Sequence, residues 1–130
     1  MPFVQIDATE GLAEAALAAL ADGVHHALQE AFGVPPDDRF QFVTTHKAGS
    51  LVADPGYLGV ARTARGYVLV RITVRWGRTP AQKRTLFATI AARAAAVGMR
   101  PEDVMVVLVE NALIDWSFGA GVAQIAPPQA

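Results

Sequence analysis

The sequence predicts an α+β fold: duplicated βαβ units forming a four-stranded mixed sheet with two helices on one face. Three observations carry that expectation. "GVPPDDRFQFVTTH" at 33–46 is echoed by "GMRPEDVMVVLVEN" at 98–111, with Gly33 matching Gly98, Pro36 matching Pro101, and Asp37-Asp38 matching Glu102-Asp103. Upstream, Ile6 and Gly11 match Ile72 and Gly77, one residue out of that register. Finally, 67–72 and 104–109 are nearly continuous apolar runs, the pattern of strands covered on both faces.

Each copy reads as strand, loop, helix, glycine stop, Pro-acidic turn, strand. In the first copy, residues 2–46, the strands are Phe3–Asp7 and Arg39–Thr45. The helix between them carries Leu17, Leu20, Val24, Leu28 and Phe32 on one face at three- and four-residue spacing and stops at Gly33. In the second copy, 67–111, the strands are Tyr67–Val74 and Val104–Glu110. Its helix opens on Thr79-Pro80-Ala81-Gln82, with a threonine cap, proline at the first helical position and glutamine at the third. The apolar stripe Leu86, Ile90, Ala94, Val97 follows, and Gly98 ends it. A strand–helix–strand crossover makes the strands of each unit parallel. The connecting segment 47–66 is expected to hold a short strand or hairpin, and 112–130 forms a tail; 1–130 is read as one domain. Two helices cover one sheet face, so oligomerisation is the economical way to cover the other.

Composition narrows the function classes. Apolar residues make up 52% and charged residues 18%, the balance of a globular chain with apolar surface to spare. A net charge of −1 gives no electrostatic footprint for nucleic acid or an anionic membrane. No cysteine is present, which excludes disulfides, thiolate metal sites and cysteine nucleophiles. No signal peptide and no membrane span is read, and a soluble, cytoplasmic protein is expected.

Chemistry is concentrated in a few positions. Once Met1 is removed, which a small second residue favours, Pro2 supplies a secondary amine at the chain terminus. Such an amine titrates near pH ~8 when unperturbed. An apolar pocket and nearby arginines lower that value, and a nearby carboxylate raises it. "VRWGRTPAQK" places Arg75 and Arg78 around a turn leading into a helix N-terminus, where anions are already favoured. Two guanidinium groups there would clamp a carboxylate; solvated loop arginines are the plainer alternative. If the units are related by a pseudo-twofold axis, strands one and three are antiparallel neighbours, and Pro2 meets the arginine turn. Asp38 is the candidate carboxylate for the amine, or simply a turn residue opening strand two. Arg71 shares a strand face with Arg75. Trp76 could stack on substrate or arginine, or plug a neighbouring subunit. His25 and His26 are read as surface or subunit-contact residues, and His46 as a strand end.

Pro2, "VPPDDRFQ", the "GRT" turn and "ENALIDWSFGAGVAQ" together resemble the tautomerase superfamily, from Pro2 to about Gln124. Within it the chain looks most like the malonate semialdehyde decarboxylase group. The resemblance implies a tautomerase-like fold, a homotrimer, no cofactor and no metal, with Pro2 as the catalytic group. It also implies that Asp38 polarises substrate or water, that Arg78 binds a carboxylate with Arg75 beside it, and that Trp116 and Phe118 wall the pocket. The expected activity is keto–enol tautomerisation or decarboxylation of a small 2-oxo or 3-oxo acid, the substrate being a small anionic carbonyl compound. The group's turn looks like Arg-x-Arg, whereas Arg75 and Arg78 are separated by two residues. That spacing resembles the cis-3-chloroacrylic acid dehalogenase branch, which keeps hydratase or dehalogenase action on a 3-substituted acrylate as an alternative. A non-catalytic carboxylate-binding trimer is the other.

Overall fold

The structure, a computed structural model, describes residues 1–63 and 66–129; positions 64–65 of the connecting segment and the last position of the tail lie outside the described residues. Strand β1 (Phe3–Thr9), helix α1 (Glu14–Phe32) and strand β2 (Phe40–His46) make the first unit. Strand β3 (Val68–Arg75), helix α2 (Pro80–Ala96) and strand β4 (Val104–Asn111) make the second. The sheet order is β2-β1-β3-β4, parallel within each unit and antiparallel where β1 meets β3. This is the mixed sheet expected of a duplicated βαβ chain.

Local signals explain the element ends. Thr79 accepts the Gln82 amide at 3.2 Å and the Gln82 side chain accepts the Thr79 amide at 2.9 Å, a complete capping box. Gly33 (φ 67°) and Gly98 (φ 85°) stop the helices in the left-handed region that side-chain-bearing residues avoid. In the connecting segment the expected strand or hairpin is replaced by a 3-10 turn at Tyr57–Gly59, and the described residues of 47–66 hold no strand. Positive φ at Leu58, Gly59 and Gly49 breaks any extended path. The backbone bonds instead close locally, Gly59 to Gly56 at 3.0 Å and Arg62 to Pro55 at 2.9 Å.

Both helices lie on one sheet face and form the core with it. Val4, Ile6, Val68, Val70, Ile72 and Val74 point into it from the sheet, against Leu20, Val24, Leu28, Leu86 and Ile90 from the helices. The two helices approach closely at Gly23, where an added Cβ would lie 2.9 Å from the Cβ of Arg93. That atom is not the free end of a flexible chain, so relief requires the helices to separate. Gly23→Ala is therefore expected to destabilise the protein by about 1–2 kcal/mol, overpacking outweighing the roughly 1 kcal/mol gain in helix propensity. Denaturant melts of the two proteins check this; an unchanged or raised midpoint would contradict it.

The opposite sheet face is open in the single chain. Phe3, Phe40, Phe42, Met105, Val107 and Val109 stand on it with 38–47% of their surface exposed. Met105, Val107 and Val109 are the alternate positions of the 104–109 run that reads as doubly covered, and Phe3, Phe40 and Phe42 extend the same face across β1 and β2.

Candidate active site

The register decides what meets at one end of the sheet. Phe3 pairs with Phe40 in parallel and with Thr73 in antiparallel sense. One step further back, Pro2 falls beside Arg39 and Val74, and residue 1 falls beside Asp38 and Arg75. Pro2 continues the helix-facing alternation of Val4, Ile6 and Ala8, and its ring is fully buried. The amine that opens the chain, carried here by Met1, lies 2.8 Å from Asp38 Oδ2. Asp38 itself ends a short turn, its amide donating to the Pro35 carbonyl at 3.1 Å.

Arg78, in the turn just before α2, lies near enough for its guanidinium to feel the Asp38 charge. Its guanidinium lies 5.0 Å from the centroid of Phe32, the last residue of α1, a cation–π distance, and it donates to the Arg75 carbonyl at 3.2 Å. Burial, and secondly the Arg75 charge, push the Arg78 pKa below its usual value, while Asp38 and Glu110 oppose that shift. A half-buried guanidinium stays charged, so Arg78 brings a partly desolvated cation to this end of the sheet. Gly77, at φ 121°, lets the turn between the arginines bend where a side chain would be strained.

Two residues at the end of β4 fix that turn. The Asn111 carbonyl accepts the Trp76 amide at 2.8 Å. Glu110 accepts the Gly77 amide and pairs with Lys83 of α2, whose ammonium is the main reason the Glu110 carboxyl lies below its ordinary range. Asn111 Oδ1 also accepts the Trp116 indole N–H at 2.8 Å, tying the tail to the same strand end. Sequence reading took Glu110 and Asn111 only as part of a longer motif; their carboxylate and amide chemistry at a strand end was the available signal.

Of the remaining candidates, Trp116 stacks on Phe118 with centroids 5.7 Å apart, and Phe118 packs against Phe40 at 5.6 Å. With Phe3, Asp115 and Ser117 these rings line a cavity of about 310 Å³. Phe3 adjoins Pro2, so the cavity opens next to the chain start on the uncovered sheet face. Arg75 lies at the same end. Arg71 does not: it stands mid-strand opposite Gln5, whose side chain it meets at 3.5 Å, four residues or roughly 13 Å along the strand from Arg75. Trp76 projects outward with 68% of its surface exposed.

The histidines separate. His46 ends β2 as expected, at the far end of the sheet, and pairs with Asp7 at 2.6 Å. His26 is exposed, but His25 is 5% exposed and not a surface residue. It lies on the core-facing side of α1, where its Nε2–H donates to the Pro36 carbonyl at 2.9 Å. Among the described residues no group of three or more His, Asp or Glu is placed to hold a metal ion, and no helix is long and apolar enough to cross a membrane.

The βαβ duplication and the site built at the β1–β3 junction define a tautomerase-fold enzyme, and the comparisons show the same. A family model described as "Tautomerase enzyme" matches residues 38–119, and a second of the same description matches 2–61. The chain is 39% identical to the probable tautomerase YusQ of Bacillus subtilis (strain 168), over 96% of this chain and 98% of that one. It is 34% identical to the probable tautomerase YrdN of the same organism, over 95% of each. The chain thus belongs to the tautomerase superfamily.

Solved structures place it within that superfamily. The FG41 malonate semialdehyde decarboxylase inhibited by 3-bromopropiolate superposes with a TM-score of 0.88 at 37% identity, over 94% of this chain and 92% of that one. A malonate semialdehyde decarboxylase described for its decarboxylase and hydratase activities gives 0.87 at 35%, over 95% of each. The chain is thus malonate semialdehyde decarboxylase-like. A fused 4-OT symmetric trimer shares the fold, with a TM-score of 0.76 at 22% identity over 95% of this chain and 97% of that one.

Proposed function

We propose that the protein decarboxylates a small 3-oxo carboxylic acid, and that it ketonises enolised 2-oxo acids as a slower accompanying reaction. The observation that carries this reading is the carboxylate of Asp38 at 2.8 Å from the amine that opens the chain. Removal of Met1 moves that amine inward by one residue, about 3.3 Å along the strand, to Pro2. A carboxylate beside an amine favours its protonated form, so Pro2 acts here as a cation.

The chemistry then follows. Arg78, with Arg75 beside it, orients the substrate through a carboxylate oxygen, and protonated Pro2 donates a hydrogen bond to the 3-oxo oxygen. The bond between the carboxylate carbon and C2 breaks, and its electron pair passes into the enolate oxygen that Pro2 stabilises. Carbon dioxide leaves, and C2 takes up a proton to give the shortened carbonyl product. Trp116, Phe118, Phe3 and Phe40 wall the apolar side of the cavity, and the low local dielectric strengthens the cationic contacts. The related decarboxylase studied with a variant in which its first residue, proline, becomes alanine supports a terminal proline as the acting group. In ketonisation, the small neutral fraction of Pro2 takes the enol proton and returns one to carbon. Arg71 stands apart from these groups in the single chain and would reach substrate only from a neighbouring subunit, on the open face that we assign to a homotrimer, while Trp76 sits in the arginine turn with its ring directed outward.

The spacing of Arg75 and Arg78 favours a second reading, addition of water to a 3-substituted acrylate. Proton NMR of the methionine-processed protein with 3-oxopropanoate, with an enolised 2-oxo acid and with a 3-haloacrylate separates them. Acetaldehyde and carbon dioxide from the first compound support the decarboxylase. Halide and aldehyde from the third alone would replace it with the hydratase. Turnover of none of the three would leave a carboxylate-binding trimer.

A further inference from the structure

We infer that His25 is a positioning residue for the acid–amine pair: by holding the Pro36 carbonyl it fixes the loop that delivers Asp38 to the chain start. The inference rests on the reading of Asp38 given above, and it concerns a residue that the chemistry does not otherwise touch.

The loop from Val34 to Asp38 is tied to α1 at its start, where the buried Val34 donates its amide to the Leu28 carbonyl at 3.4 Å, and has few bonds beyond that point. Pro35 and Pro36 carry no backbone N–H, so neither can donate a bond to a neighbouring element. The turn closes on one internal bond, from the Asp38 amide to Pro35. Its tie to the body of the protein at Pro36 comes from a side chain: His25 Nε2, 2.9 Å from the carbonyl oxygen. A carbonyl only accepts, so Nε2 must carry the hydrogen, which fixes the ring's protonation at that atom. His25 is 5% exposed on α1, so its ring is enclosed by the fold and not free in solvent. Pro36 precedes Asp38 by two residues, too short a tether for the carboxylate to ignore a shift of the carbonyl.

The consequence is electrostatic. Of the charged groups at this end of the sheet, Asp38 favours the protonated amine, Arg75 and Arg78 oppose it, and Glu110 is paired with Lys83 on the far side of the arginine turn. Asp38 sits between this loop and β2, two residues before Phe40, whereas Arg75 ends β3 and Arg78 lies in the turn before α2. Loosening the loop therefore weakens one side of the balance and leaves the other in place. A histidine at this position acts on the proton affinity of the amine without meeting substrate.

Nitrogen-15 NMR of the terminal proline, followed by pH titration in the methionine-processed protein, tests this with no substrate. Asp38→Asn is expected to lower the midpoint of the amine. His25→Leu, which has no donor, is expected to lower it by at least roughly a third of that shift. His25→Gln, which keeps an N–H donor, is expected to recover most of the difference. If Asp38→Asn moves the midpoint and folded His25→Leu does not, the inference is overturned and the reading of Asp38 stands. If Asp38→Asn leaves it unmoved, that reading fails and the inference falls with it. Ring nitrogen shifts of His25 in the unmodified protein give a check that no folding defect can blur: a neutral ring with hydrogen on Nδ1 rather than Nε2 overturns the assignment.

Discussion

Pro2→Ala is expected to lower kcat/KM for the 3-oxo acid by roughly 10²–10⁴-fold, the range that a positioned proton donor or acceptor contributes. The loss should appear mainly in kcat, because Arg78 still holds the carboxylate. Alanine keeps a terminal amine, but a primary one, and it gives up a buried ring. The ring packs on the same sheet face as Val4 and Ile6, so its removal also costs about 1 kcal/mol of stability. The stability loss is too small to explain the kinetic loss, and a thermal melt at assay temperature separates the two. Intact mass must first show that Met1 is absent, since an acylated Pro2 nitrogen has no proton to give. Unchanged kcat in a processed Pro2→Ala protein would overturn the proposed chemistry.

Arg78→Ala is expected to raise KM by roughly 10–150-fold, the equivalent of about 1.5–3 kcal/mol for a hydrogen bond to a charged partner. Arg78 is held on the Phe32 ring at 5.0 Å and by the Arg75 carbonyl, so its guanidinium is already ordered before substrate arrives. Little entropy remains to be lost on binding. Arg78→Lys should recover only part of the affinity, because an ammonium neither stacks on Phe32 nor offers two parallel donors. Isothermal titration with a non-reactive dicarboxylate gives the same comparison without turnover. Equal affinity in Arg78→Ala and the unmodified protein would return Arg78 to the status of a surface arginine.

The two predictions act on different halves of the reaction, and the structure explains why they are separable. Pro2 and Asp38 belong to the β1–β2 unit, whereas Arg75 ends β3 and Arg78 lies in the turn before α2. In the proposed reaction, one copy of the duplicated unit supplies the proton chemistry and the other supplies the anion site. The duplication has therefore diverged. At the offset that matches Ile6 with Ile72, the second copy has Val68 where the first has Pro2, and it has Glu102-Asp103 where the first has Asp37-Asp38. In the second copy that acid is structural: buried Asp103 takes the amide and hydroxyl of Thr63 at 2.8 and 3.0 Å.

Several parts of this were legible in the chain. Thr79 and Gln82 announce a helix start because a capping box is a local bargain among four residues. Gly33 and Gly98 mark helix ends because the left-handed conformation is local as well. The alternation in β3 follows from the pleat, and with it the sidedness of Val68, Val70, Ile72 and Val74. His25 was not legible. Its neighbours in sequence give no sign that a proline carbonyl eleven residues on needs a donor. The connecting segment was misread for a related reason: a Gly- and Ala-rich stretch is compatible with a hairpin, but Leu58 at φ 57° turns it within three residues.

By itself the sequence determined the duplicated βαβ plan, the capped helices, the apolar faces and the short set of residues able to do chemistry, because each rests on interactions spanning a few positions. Only the tertiary structure decided that Asp38 reaches the chain start, that Arg78 lies on Phe32, and that Arg71 faces Gln5 at mid-sheet, away from that end. The first and third follow from how β1 is registered between β2 and β3, and the second from how the two helices lie side by side on the sheet. Periodicity along one strand carries no information about which residue of another strand lies beside it.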